Sequence, residues 1–365
     1  MTLKVTHAKR RRSHPPTEGH ARSNAKGDVG VGPLRTIPVA LRQCGVDPAA
    51  ALKEAGLTLQ AFDNDAIRIS YSTAGRLMAR CAELTGKPHF ALLMGANFEL
   101  PMLGPLGHLM RNEASVGAAL RSLIFRLHLH DRGAVADLSA LDDRRSGLSY
   151  AVCAPDTPAR GLIEEFGMTI GHRMLKSLCG PRWCPLEVRL AQAPPRETRP
   201  YRDHFEAPVR FNAAMSMIVF ETRWLTEPVI GADPELHRLL TSLFDALESQ
   251  SPRRMTDKIR RVLRTAVLGG TANARSIANL FSVSERTLRR HLTAEGFKLH
   301  ELIAEARQIV AQQLIGESRL PMGDIASALH YSDTSALSRA FRGWTGLSPR
   351  EWRRTHPSEH AAGGT

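Results

Sequence analysis

The feature that most constrains this chain is a pattern that occurs twice near its C-terminal end. In SIANLFSVSERTLRRHLTAEG (Ser276 to Gly296) a short apolar helix, a tight turn and a second helix follow one another. Ile277, Ala278 and Phe281 face inward from the first helix, Ser284 caps the second with Thr287 at the capping-box position, and Leu288 and Leu292 point to the core. Some 48 residues later DIASALHYSDTSALSRAFRGWTG repeats it, with Ile325, Ala326 and Leu329, then Leu337 and Phe341 at a spacing of 49 because the turn is one residue longer. Between them KLHELIAEARQIVAQQLIGES predicts a long connecting helix with Leu302, Ile303, Ala306, Ile309, Val310 and Leu314 along one stripe.

One such spacing also occurs in ordinary helical bundles. Two copies in one all-helical block point to twin helix-turn-helix units, whose second helices can enter successive major grooves about 34 Å apart. Their outer faces must then be polar and long. Once the apolar positions are buried, Glu285, Arg286, Arg289 and Arg290 are left on the first, and Asp333, Thr334, Ser335, Ser338, Arg339 and Arg342 on the second.

Charge follows the same division. Of a net +13, residues 1–30 hold 7 Lys/Arg against 2 Asp/Glu, residues 31–252 balance at 24 each, and residues 253–354 hold 18 against 9. Basic excess confined to a terminal block is the footprint of a polyanion binder. The segment 1–33, with its KRRR run from Lys9 to Arg12, reads as a disordered basic tail, and 355–365 as a second tail. No apolar run reaches the ~20 residues of a membrane span. The N-terminus has no apolar stretch after its charges, so it does not read as a secretory signal. Five scattered cysteines without a CxxC pair suit a reducing cytoplasm, with nucleoid association following from DNA binding.

The stretch 34–250 mixes helices (YSTAGRLMARCAELTG, ASVGAALRSLIFRLHLH, GLIEEFGMTIGHRMLKSLCG) with strands (AVADLSALDDRRSGLSYAVCAP around a polar turn, PLEVRLAQAPP, VRFNAAMSMIVFE). The fold class expected is an α+β sensing domain over 34–250, followed by an all-α domain over 253–354 with two helix-turn-helix units. The helix PELHRLLTSLFDALE carries Leu236, Leu239, Leu240, Leu243, Phe244 and Leu247 as a stripe, either a homodimer interface or part of the sensing core.

The run Tyr331-Ser332-Asp333, Ser338 through Arg342, Trp344-Thr345-Gly346, Ser348-Pro349 and Trp352-Arg353 resembles the DNA-binding domain of the AraC/XylS family of bacterial regulators. Pro101 to Leu120, Phe205 to Glu221 and Gly231 to Leu240 resemble the effector-binding and dimerisation domain of its arabinose-binding-like branch. The resemblance implies a sequence-specific regulator, more an activator than a repressor, with double-stranded DNA, RNA polymerase and a small-molecule effector as partners. It places Arg286, Thr287, Arg289, Arg290, Thr334, Ser335, Ser338, Arg339 and Arg342 at base- or phosphate-facing positions, with most base readout on the first helix. Arg342 and Arg353 stay open between phosphate contact and solvated charge. Two turn positions depart from the family pattern, Ser282 and His330 standing where glycine is usual, at about 1 kcal/mol each in left-handed backbone.

For the effector, His108, Arg126, His128 and His130 are polar groups beside apolar runs and so candidate cavity residues. His128 and His130 are two residues apart, which does not bring two imidazoles to one helix face, so no metal site is expected. HExxH, GxSxG, GxxxxGK[ST] and GxGxxG motifs are absent; neither an enzyme nor a cofactor is expected. The competing reading is a regulator or architectural protein controlled by partner binding without any ligand.

Overall fold

The computed structural model describes residues 27–355, apart from 65, 155–156, 251–253, 282 and 318–319; the side chains of 247–250, 261, 265 and 317 also lie outside the description. The basic run Lys9–Arg12, Ser282, the Leu247 side chain and the tail from 356 therefore lie outside the description.

In the N-terminal half, β1 (Asp28–Gly30) pairs antiparallel with β2 (Arg68–Ser70), and between them run α1 (Thr36–Gln43) and α2 (Pro48–Glu54). There follow α3 (Tyr71–Thr85), α4 (Phe90–Ala96), α5 (Pro105–Arg111) and α6 (Val116–His130). Next come β3 (Ala134–Ala140), β4 (Arg145–Val152), α7 (Arg160–Cys179), β5 (Glu187–Arg189), α8 (Arg199–Phe205), β6 (Val209–Arg210) and β7 (Met217–Glu221). The second sheet has the order β3-β4-β7-β5-β6, antiparallel except for the β5–β6 pair. Helices and strands without a βα repeat make this an α+β domain.

Local chemistry sets the boundaries. Ser70 caps α3 by accepting from the Thr73 amide, and Gly86 ends that helix in left-handed backbone at φ 64°. Two expectations need correction. Residues 28–33 are not part of a disordered tail: Val31 is fully buried, Val29 pairs with Ile69, and Arg68 bonds the Asp28 carboxylate at 2.5 Å. Alternating valines and the Asp28 ion pairs to Arg68 and Arg132 anchor the segment, features masked in the sequence by the basic run before them. VRFNAAMSMIVFE is not one strand but β6 and β7, broken near Asn212, which sits at φ 56°.

The large sheet is covered on both sides. Cross-strand pairs place Ala136 with Tyr150 and Leu148 with Ile218 on one face, towards α6 and α7. On the other, Met217 and Val219 pack with Met215 and Leu141 against Leu268, a residue of the C-terminal half.

That half begins after α9 (Pro234–Gln250) and contains α10 (Met255–Leu268), α11 (Ala274–Leu280), α12 (Glu285–Ala294), α13 (Leu299–Glu317), α14 (Met322–Ala328), α15 (Thr334–Thr345) and α16 (Pro349–Thr355). Helices α11–α12 and α14–α15 are the two helix-turn-helix units. Ile277, Ala278, Leu288, Leu292, Ile325, Ala326, Leu329, Leu337 and Phe341 are all buried. Helix α13 packs on α10, α14, α15 and α16. Phe341, fully buried, meets Trp352 edge-on at 5.6 Å; truncation to alanine at such a position costs about 3–5 kcal/mol. Phe281, expected inside its own unit, is only half-buried and instead meets Phe125 of α6.

The stripe on α9 divides. Phe244 is buried and Leu240 packs against the core, while Leu236, Leu239 and Leu243 are exposed.

Candidate nucleic-acid interface and effector cavity

Each recognition helix starts at a side-chain cap that fixes its entry into the turn. Ser284 Oγ accepts from the Thr287 amide at 3.1 Å and meets the Thr287 hydroxyl at 2.9 Å. Asp333 Oδ1 accepts from the Ala336 amide at 2.7 Å and Oδ2 from the Ser332 hydroxyl at 3.1 Å; these bonds hold its carboxyl below the usual range. With Leu288/Leu292 and Leu337/Phe341 turned inward, Arg286, Arg289 and Arg290 are exposed on α12, and Thr334, Ser335, Arg339 and Arg342 on α15. Thr287 is held in the cap, and the Ser338 hydroxyl donates back to the Thr334 carbonyl at 2.7 Å. These two hydroxyls have local partners in the structure, which leaves the arginines as the long free-reaching groups of the set.

Arg353 is neither a solvated charge nor a free phosphate contact. Its Nε donates to the Ile315 carbonyl at 3.0 Å and Nη2 to the Leu320 carbonyl at 2.8 Å, tying α16 to the C-terminal end of α13. Helix α16 itself starts with a reciprocal capping box: the Ser348 amide and hydroxyl donate to Glu351 Oε2 at 2.7 and 2.5 Å, and the Glu351 amide donates to Ser348 Oγ at 3.3 Å. His330, at φ 59°, holds the left-handed turn position where a glycine was expected.

In the N-terminal half a cavity of about 830 Å³, its mouth included, opens between α3, α6, α7 and the β3–β4 pair. Leu34, Met78, Leu123, Leu127, Phe166 and Met174 give it an apolar wall. Its polar groups are Tyr71, His130, Asp131, Ser149 and Tyr150. Asp131 organises them. Its Oδ2 accepts from the hydroxyls of Tyr71 at 2.7 Å and Tyr150 at 2.9 Å, and its Oδ1 from the amides of Gly133 at 2.9 Å and Ala134 at 3.0 Å. Burial, followed by the Asp131 charge, pushes both phenols well above their ordinary range, so they are neutral donors.

Of the four sequence candidates for effector binding, only His130 lines the cavity. His108 is exposed on α5, His128 bonds the Phe125 carbonyl at 2.8 Å, and Arg126 lies over the Phe244 ring at 5.3 Å with Asp245 of α9 at 3.9 Å. Tyr71, Asp131 and Tyr150 carried no motif to mark them.

The strands that wall the cavity also receive the C-terminal half. Arg264 of α10 donates to the Cys153 carbonyl just beyond β4 at 3.4 Å, and α10 runs against β3.

Comparison with known proteins places these halves together. Residues 45–229, just over half of the chain, match the model described as the arabinose-binding domain of AraC transcription regulator, N-terminal, and residues 277–355 match a helix-turn-helix domain. The chain belongs to the AraC family of transcription regulators. Similar AraC-family relatives include the HTH-type transcriptional regulator VirS of Mycobacterium tuberculosis, 26% identical over 314 residues, 86% of this chain and 92% of VirS. The ornithine utilization regulator of Pseudomonas aeruginosa is 25% identical over 311 residues, 85% of this chain and 91% of its own. The crystal structure of the transcriptional regulator CdpR from Pseudomonas aeruginosa aligns at 20% identity and a TM-score of 0.44, over 88% of this chain and 98% of CdpR. As an AraC-type regulator the chain binds DNA through its C-terminal domain and carries an arabinose-binding-like domain before it.

Proposed function

We propose that this regulator couples an effector in the N-terminal cavity to the reading of a specific operator. Arg286, Arg289 and Arg290 on α12 supply most base contacts, since an arginine can bridge guanine O6 and N7. Thr334, Ser335, Ser338, Arg339 and Arg342 on α15 contribute phosphate contacts and shape recognition, and Thr287 acts through the α12 cap. The functional domains run over 34–250, with the additional anchor of residues 28–33, and over 253–354. The exposed residues Leu236, Leu239 and Leu243 of α9 support assembly as a homodimer, and activation proceeds through RNA polymerase bound nearby. A cytoplasmic, nucleoid-associated location follows from this role.

One observation carries the coupling: β3 and β4 present the cavity on one face and meet α10 of the DNA-binding half on the other. A ligand that shifts these strands thereby has a physical route to the recognition helices. Genome-wide binding of the tagged protein tests the reading. Discrete sites lost on Arg289→Ala are the expected result, with the operon beside the strongest site identifying the pathway that supplies the effector. Uniform, sequence-indifferent coating would favour an architectural role instead.

A further inference from the structure

We infer that the cavity takes an apolar molecule carrying a single hydrogen-bond-donating head, an alcohol or an amine, and rejects both sugars and carboxylates. The inference rests on the effector reading above and assigns that site a ligand chemistry which the arabinose-binding name of the domain does not predict.

Around Asp131 the polar end of the cavity is built for accepting; of the other polar lining groups, the Ser149 hydroxyl is turned to the Asp137 carbonyl at 3.4 Å, and His130 lies at the end of α6. Asp131 is buried in the wall with both oxygens filled, two backbone amides on one and the Tyr71 and Tyr150 hydroxyls on the other. A carboxylate is a stronger acceptor than a neighbouring phenol, so each tyrosine commits its one proton to Asp131. The two hydroxyls also meet each other at 2.9 Å, so each proton is taken up by Asp131 or by the other phenol, and the oxygens keep only lone pairs for a ligand. The rings are held from behind: a Cβ at Gly133 would lie 2.3 Å from the Tyr71 ring, and one at Gly167 2.5 Å from the Tyr150 ring. The acceptor pair is thus in place before any ligand arrives, which limits the ordering cost of binding.

The rest of the wall excludes the alternatives. A pentose brings several hydroxyls, each needing a partner once buried, and the apolar side chains of Leu34, Met78, Leu123 and Phe166 supply none. A carboxylate would approach the Asp131 charge in a low-dielectric space where, among the described residues, the lining holds no lysine or arginine and one imidazole, His130. An alcohol satisfies the acceptor pair with one proton, and an ammonium additionally gains from the anion behind it. Both leave the alkyl body against aliphatic wall.

The test is calorimetric titration of the full-length protein with four probes: 1-octanol, octylamine, octanoate and L-arabinose. Octanol and octylamine should bind, octanoate at least tenfold more weakly, and arabinose without detectable heat. Tyr150→Phe should weaken octanol binding about fivefold, as loss of one hydrogen bond does. Tyr71→Phe provides the same readout through a second variant. Octanoate or arabinose binding as tightly as octanol, no binding by octanol and octylamine, or unchanged octanol affinity in both tyrosine variants would overturn the assignment. Operator affinity measured with and without octanol separates the two claims. Binding that leaves operator affinity unchanged counts against the effector reading while the ligand class stands.

Discussion

The ring of Phe125, on the helix that lines the cavity, lies 5.4 Å from the ring of Phe281 at the end of α11, tilted by 54°. Leu123 and Leu127 of the same helix face the cavity. Helix α6 therefore touches both the cavity and the first helix-turn-helix unit. An aromatic pair of this kind contributes about 0.5–1.5 kcal/mol beyond its buried area. Phe125→Ala should speed amide hydrogen exchange in α11 several-fold and leave α14 and α15 unchanged. Equal exchange in wild type and variant would remove this contact from the coupling.

Glu295, just after α12, caps a different helix. Its Oε1 accepts from the Met255 amide at 2.7 Å, and its Oε2 from the Thr256 amide at 2.8 Å and the Thr256 hydroxyl at 2.6 Å. Partial burial opposes ionisation, yet the Thr256 hydroxyl and the two amides outweigh it and hold the carboxyl below its ordinary value. The stabilisation is present above the unfolded carboxyl range near 4.3 and is lost as pH falls through the lowered folded value. Glu295→Ala should cost about 0.5–2 kcal/mol at neutral pH, read by chemical denaturation, with the difference shrinking in acid.

The N-terminal domain buries titratable groups of opposite tendency. His172 lies 5.5 Å from Trp183 and 5.6 Å from His204, its two ring nitrogens without hydrogen-bond partners among the described residues. Burial, then the His204 and Lys176 charges, lowers it to about 4; burial, then the Arg173 charge, lowers His204 to about 4 as well. Both favour the fold above the unfolded histidine value near 6.5, and that contribution is lost as pH falls towards 4. Burial raises Glu165 and Asp137 to about 7, which favours the fold at low pH and is lost as pH rises from the carboxyl range to 7.

Two against two, the wild-type stability should vary little between pH 4.5 and 6.5, a window set by these four values. Glu165→Gln should expose the histidine slope, with stability rising with pH by on the order of 1 kcal/mol per unit. His172→Phe should tilt the curve the other way. Parallel melting curves for the three proteins would contradict the balance.

His330 keeps a non-glycine residue at φ 59° in the second turn. His330→Gly should remove about 1 kcal/mol of backbone strain and raise the melting temperature of the C-terminal domain by a few degrees. Gly270, at φ 71°, should behave oppositely. A Cβ there would lie 2.8 Å from the His330 ring, so Gly270→Ala should lower the melting temperature.

The C-terminal half was legible because its determinants are local. Apolar residues at helical period, the Ser284 cap and the repeat at 48–49 residues all lie within one short window. The first-unit position Phe281 departed from that reading because its partner, Phe125, is remote in sequence. The cavity was not legible: Tyr71 and Tyr150 reach Asp131 across separations of 60 and 19 residues, a meeting that depends on sheet register and helix packing. Of the histidines beside apolar runs, His128 and His130 stand about 200° apart around α6 and His108 lies exposed on α5, a divergence that sequence adjacency does not show. Only His130, next to the start of β3, ended at the cavity. Strands β5 and β6 lie inside the runs PLEVRLAQAPP and VRFNAAMSMIVFE, but at three and two residues they are much shorter than those runs, whose ends local alternation does not mark.

Hydroxyl-radical footprinting of the full-length protein on its strongest genomic site tests twin-helix recognition most directly. Each protomer should protect two segments on one face of the duplex, about one helical turn of 10–10.5 base pairs apart. Arg289→Ala should weaken binding by ~1–3 kcal/mol and relax sequence preference within one segment only. A single protected segment per protomer, or an Arg289→Ala variant that keeps both affinity and preference, would contradict the account.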